Sequence, residues 1–211
     1  MKFEVEAAVD TFVDAVAAEA EGCSRIELCG PLHDGGTTPS AGLIERCCSR
    51  LSAQVHVLIR PRNGSFVYDR DEVAIMLKDI AVAKDLGADG VVTGALTSRN
   101  ETDTEVMKEL ISAARPMRIG FHRAFDSLND QRSGLDQLAS LGVDHVLTSG
   151  GQRTAADGAD VLAALVKQAG DRITIVAGGS IAPDNVRELV TRTGVTIVHG
   201  RAFRGMLDGT R

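Results

Sequence analysis

Aromatic side chains are scarce in this chain: 3% of its residues, with no Trp and a single Tyr. Binders of single-stranded nucleic acid use aromatic faces as stacking platforms, so their main device is missing. A basic excess is missing too, with 23 Lys and Arg against 29 Asp and Glu and a net charge of -6. That balance argues against a phosphate-backbone partner. No apolar run approaches the roughly 20 residues of a membrane span, and the start, Met1-Lys2-Phe3-Glu4-Val5-Glu6, lacks the long apolar segment of a secretory signal. The expectation is a cytoplasmic protein with neither nucleic-acid nor membrane partners. Its four cysteines (Cys23, Cys29, Cys47 and Cys48) then read as thiols. They show no CxxC spacing, which argues against structural zinc. Neither a GxGxxG fingerprint nor a P-loop follows the first strand-like run, so no organic cofactor is expected.

What is present is an even alternation. The 211 residues, 44% hydrophobic and 25% charged, suit one domain over 1–211. Short β-branched runs at 3–7, 25–29, 55–60, 90–93, 118–122, 145–148, 173–177 and 196–199 read as strands. Segments at helical spacing lie between them, for example 11–21, 71–86, 159–168 and 184–193. The strands are continuous apolar runs, as parallel strands covered by helices are. Most helix-to-strand joins repeat a Gly followed within two positions by a polar residue, as at Gly22, Gly87, Gly142, Gly170 and Gly194. Glycine there can take the left-handed conformation that closes a helix. Eight βα units predict a (β/α)8 TIM barrel, with an open doubly wound sheet as the alternative. Such barrels typically need about 250 residues. This one should therefore be minimal, with a short or incomplete final helix in the twelve residues from Gly200 to Arg211.

In a barrel the C-terminal strand ends converge on the active face. Here they are polar: Glu27 and Cys29 on the second strand, His56, Arg60 and Arg62 on and after the third, His122 and Arg123 after the fifth, Ser149 after the sixth, and His199 on the eighth. The period of two puts Glu4 with Glu6, Glu27 with Cys29, and His56 with Arg60 on shared faces. Charged pairs against the helix layer would be costly, so these are expected to point into the barrel. Buried Glu and Arg can also simply neutralise one another as a structural network. Gly178-Gly179 after the seventh strand stands where barrels often cradle an anion with backbone N–H groups. The polar loop His33–Ser40 could act as a lid, with Ser40 an N-cap for the next helix.

Six stretches resemble the CutC family, the so-called copper homeostasis proteins. They are Arg25-Ile26-Glu27-Leu28-Cys29, Gly35-Gly36-Thr37-Thr38-Pro39-Ser40, Ile59-Arg60-Pro61-Arg62-Asn63-Gly64, the run from Leu86 through Gly94 to Leu96, Phe121-His122-Arg123-Ala124-Phe125-Asp126, and Leu147-Thr148-Ser149-Gly150. The resemblance implies a cytosolic barrel, a link to copper handling, and Cu(I) held through thiols. It also implies a first-strand cysteine, where this chain has Glu6 or Ala7. Cys29 is left as the thiol ligand, with His56 and His122 as helpers.

Two functions stay open. One is copper binding at Cys29, His56 and His122. The other is an enzyme acting on a small phosphorylated or carboxylated metabolite. There Arg60, Arg62, Arg123, Ser149, Gly178, Gly179 and His199 would bind the anion, His122 would act as acid or base, and Glu27 or Glu4 would orient it. A homodimer is the expected assembly.

Overall fold

The computed structural model describes residues 2–201 and 203–207. Its strands are β1 (Glu4–Val9), β2 (Arg25–Leu28), β3 (Gln54–Leu58), β4 (Gly90–Thr93), β5 (Arg118–Phe121), β6 (His145–Thr148), β7 (Thr174–Gly178) and β8 (Ile197–Gly200). Each pairs in parallel with the next, and β8 returns to β1, closing the barrel. The helices are α1 (Phe12–Ala20), α2 (Ala41–Arg50), α3 (Arg70–Asp85), α4 (Thr104–Ala114), α5 (Gln131–Leu141), α6 (Ala159–Ala169) and α7 (Val186–Thr193). The expected TIM barrel is the observed fold, with boundaries one or two residues off.

Local chemistry sets those boundaries. Thr11 and Ser40 cap α1 and α2 by accepting the N–H groups of Asp14 and Leu43. Asp69 and Glu72 form a reciprocal capping box on α3. Gly142 and Gly194, at φ 82° and 74°, close α5 and α7 in the left-handed conformation the repeated glycine predicts. After β8, residues 204–207 form a turn. The rest of the expected final element, including Gly209, Thr210 and Arg211, lies outside the described residues. No described helix is long and apolar enough to cross a membrane.

Strand parity divides the buried side chains into two environments. Val5, Ala7, Val9, Ile26, Leu28, Val57, Ile59, Val91, Ile119, Val146, Ile175 and Val198 join the helix residues Ile44, Met76, Ile80, Met107, Leu110, Leu135 and Leu162 in one hydrophobic cluster. This cluster is the main apolar store of the fold. The opposite parity fills the barrel with polar groups: Glu6, Arg25, Glu27, His56 and His145, all at most 8% exposed. Barrel interiors are usually filled by branched aliphatics, so the substitution points to function.

Three glycines make room for these rings. A Cβ on Gly90 would lie 2.8 Å from the His56 ring, one on Gly94 would lie 2.7 Å from His122, and one on Gly120 would overlap His145. Overpacking a closed core costs about 1–3 kcal/mol. Gly120→Ala is therefore expected to lower stability by about 2 kcal/mol or more, read from the urea midpoint at constant m. A variant within about 0.5 kcal/mol of wild type, the usual scatter for harmless changes, would show that the ring moves freely.

Candidate functional site

A cavity of about 460 Å3 opens at the C-terminal mouth of the barrel. Ala8, Glu27, Cys29, Leu58, Arg60, His122, Leu147, His199 and Arg201 line it from the strands and their ends, with Phe66, Arg123, Gly179 and Ser180 from the loops. Seven of the expected site residues thus meet here: Glu27, Cys29, Arg60, His122, Arg123, Gly179 and His199.

The floor is a charge network. His199 Nδ1 lies 2.8 Å from Glu6 Oε1 and 3.2 Å from Glu27 Oε2, and the Arg25 guanidinium forms an ion pair with Glu6. Burial pushes Glu27 up to about 7, against the pull of His199. Burial also raises Glu6, but Arg25 and His199 outweigh it and hold that carboxyl well below the usual range. For His199 burial favours the neutral ring, yet Glu27 and Glu6 together raise its pKa above the ordinary value. Burial thus draws Glu27 toward its neutral form, while the two carboxylates draw His199 toward its charged one. Such a pair can give a proton to, or take one from, a molecule in the cavity.

His122 has a different character. Its Nδ1 accepts the Ala124 N–H at 3.2 Å, so the neutral ring carries its proton on Nε2. Burial, reinforced by Arg60, pushes it down to about 3. It is an uncharged imidazole packed against Phe66, with centroids 4.8 Å apart. His122, expected as an acid or base, is thus a neutral wall of the cavity.

The loops are held by the other expected residues. Arg60 donates from Nη1 to the carbonyls of Gly35 and Gly36 and from Nη2 to that of Gly64, tying the loop after β2 to the loop after β3. The stretch expected as a lid is thereby pinned. Asp126 accepts from Thr148 Oγ1, the Gly151 N–H and Arg123 Nε. Arg123 also reaches Ser149 Oγ at 2.6 Å from Nη2. Ser149 is fully buried behind Arg123 and does not line the cavity. Gly179, at φ 114°, is followed by Ser180 at φ 55°, a left-handed conformation uncommon outside glycine. Gly178 lies beneath them, where a Cβ would clash with Leu147 at 2.7 Å and only touch His199.

Three expected members lie elsewhere. Glu4 shares the parity of Glu6 but begins its strand, so it emerges exposed at the opposite end of the barrel and accepts from Ser24 Oγ. Arg62 stands past the end of β3 and turns outward into a bidentate pair with Glu72. His56 is buried deeper, with Glu6 and His145. Arg25 and His145 were not anticipated, because both open their strands, whereas polar residues were sought at strand ends.

The expected ligand trio Cys29, His56 and His122 does not assemble. Cys29 is 2% exposed and its thiol donates to the Glu27 carbonyl. Burial, then the carboxylates of Glu27 and Glu6, push the thiol well above its usual range. Among the described residues, the three-membered ligand groups are Glu6–His56–His145 and Glu6–Glu27–His199, neither with a sulfur. Cu(I) prefers thiolate and thioether donors, so the mouth does not fit that ion. Covalent catalysis by lysine is equally unsupported: Lys78 and Lys84 lie on α3, Lys108 on α4 and Lys167 on α6, and Lys2 precedes β1.

Fold and site together define a (β/α)8 barrel whose mouth carries Arg60, Arg123 and Arg201 over a buried Glu27–His199 ion pair. The CutC family model matches residues 3–204, and the chain belongs to the CutC family. It is 44% identical over 203 residues to a CutC family protein of Histophilus somni (strain 2336), covering 95% of this chain and 84% of that one. It is 41% identical over 197 residues to the human copper homeostasis protein cutC homolog, covering 93% and 72%. The crystal structure of a CutC protein from Streptococcus agalactiae superposes with a TM-score of 0.91 at 36% identity, covering 95% of this chain and 99% of that one.

Proposed function

We propose that this chain serves copper homeostasis, as the human relative's name says of that protein, by acting on a small anionic metabolite at the barrel mouth. One observation carries the reading: Arg60, Arg123 and Arg201 surround a cavity whose floor is the Glu27–His199 pair. Guanidinium groups suit carboxylate or phosphate, and Gly179-Ser180 adds backbone at the position many barrels use for phosphate. The substrate anion sits against Arg123 and Arg201, and His199 with Glu27 moves a proton on the adjoining carbon or oxygen. Among the described residues that line the cavity there is no lysine, and the Cys29 thiol is held protonated by burial. Four unpaired cysteines support a cytoplasmic setting.

Thermal melts with phosphate, sulfate, dicarboxylates and phosphorylated sugars test the proposal. A ligand at a hundredfold excess over its Kd should raise Tm by about 5 °C or more, and Arg123→Ala should remove the shift. Arg123 is the better probe than Arg60, because losing Arg60 also frees two loops. No shift across the whole panel, or an equal shift in Arg123→Ala, overturns it. A parallel Cu(I) competition against a chelator should show wild type and Cys29→Ala equally unable to compete.

A further inference from the structure

Beneath the mouth lie two histidines that the acid–base chemistry does not use. His56 on β3 is fully buried, and neither of its ring nitrogens has a hydrogen-bond partner. His145 on β6 is 3% exposed, and its Nε2 has none either. Their ring centroids stand 5.3 Å apart with the planes tilted by 38°, so the rings are not stacked. Leaving buried polar atoms unpaired is costly. Gly90 and Gly120 are both shaped to admit these rings, and an aliphatic pair would fill the space without that cost. One ligand atom from each histidine and a Glu6 carboxylate oxygen all lie within 4.8 Å of one another.

We propose that Glu6, His56 and His145 form a binding site for a borderline divalent first-row cation, zinc or copper(II), inside the barrel. Two imidazoles and one carboxylate match the donors such ions take at about 2.0–2.2 Å. Ligands bound at those lengths stand roughly 3.3 Å apart, so a contraction of the present group closes the site. Calcium and magnesium prefer sites made wholly of oxygen and are excluded by the two nitrogens. Arg25 on Glu6 opposes the added charge. The affinity should accordingly fall below that of a closed structural zinc site, because Arg25 and His199 already hold the two Glu6 oxygens. The site is separate from Cys29, and it stands whether or not the mouth binds an anion.

The test strips the full-length protein with a chelator and titrates it with Co2+, whose visible absorption reports coordination. One Co2+ per chain is expected, displaced by Zn2+ or Cu2+, with no thiolate charge-transfer band and the same spectrum in Cys29→Ser. Loss of a residue merely supporting a metal weakens binding about 10–100-fold. His56→Gln and His145→Gln, which remove ligands, should each weaken it at least about 100-fold. If either variant fails to fold, nitrogen NMR of the wild type decides: Zn2+ should move the His56 and His145 ring signals and leave His122 in place. Absence of uptake, full affinity in both histidine variants, or shifts confined to His33, His122 or His199 overturns the site.

Discussion

Acidification from pH 7 to 4 should unfold this protein in a steep transition beginning below about 6.5 in the absence of metal. Burial depresses His56 to about 4 and both His122 and His145 to about 3, against an ordinary value of 6.5. The unfolded chain takes up these three protons as the pH falls through 6.5, while the folded chain refuses them. The stability these three rings contribute is thus full above 6.5 and is lost as the pH descends toward the folded values. Glu6 acts in the same direction below its ordinary 4.5, because Arg25 and His199 keep it ionised in the fold despite its burial.

Glu27 works against this loss. Raised to about 7, it binds a proton in the folded chain that the unfolded chain binds only near 4.5, and it offsets roughly one of the three histidines. The net uptake on unfolding is about two protons, or ~3 kcal/mol per pH unit between 6 and 5. A domain holding about 5–15 kcal/mol has little left at pH 4. Urea midpoints followed by circular dichroism across pH 7 to 4 measure the slope directly. A flat profile down to pH 5 would mean that the rings are hydrated, and His145→Leu should make the slope shallower by about one proton.

The barrel was legible because its signals are local and repeated: β-branched runs recur eight times, and a glycine returns at five of the seven helix-to-strand joins. The mouth was legible in part, since the C-terminal ends of parallel strands must converge. Arg60, His122 and His199 reach it for that reason. Depth within the barrel was not legible. Glu4 and Glu6 share parity, and only closure of β1 against β2 and β8 decides that one emerges below the floor while the other is sealed inside. Arg62 was misplaced because the period of two ends with the strand, and Glu72 in the α3 capping box draws it outward. His145 and Arg25 were missed for the reason that they begin strands. Gly90 and Gly120 carried the available signal: an inward glycine in a closed barrel requires a large neighbour, here His56 across β3 and His145 across β6.

Removing one partner of the Glu6–Arg25 pair should be the most damaging single change in the barrel. Glu6→Leu leaves the Arg25 guanidinium at 8% exposure with no other ion-pair partner among the described residues, and it takes from His199 its nearer carboxylate. Breaking a buried pair from one side costs about 3–5 kcal/mol, because the surviving charge stays in low dielectric. Replacing both members with apolar residues of similar volume is often neutral. The double variant Glu6→Leu/Arg25→Met should therefore recover most of the loss, with coupling of about 2 kcal/mol or more in a double-mutant cycle read from urea unfolding in chelator. His199 would then rest on Glu27 alone, so its pKa should fall in both variants, visible in its ring NMR titration. If the double variant were no more stable than the single one, the cost would lie in packing at Glu6 rather than in charge. The polar interior would then be a product of shape, and the Glu27–His199 contact would stand without the ion pair beneath it.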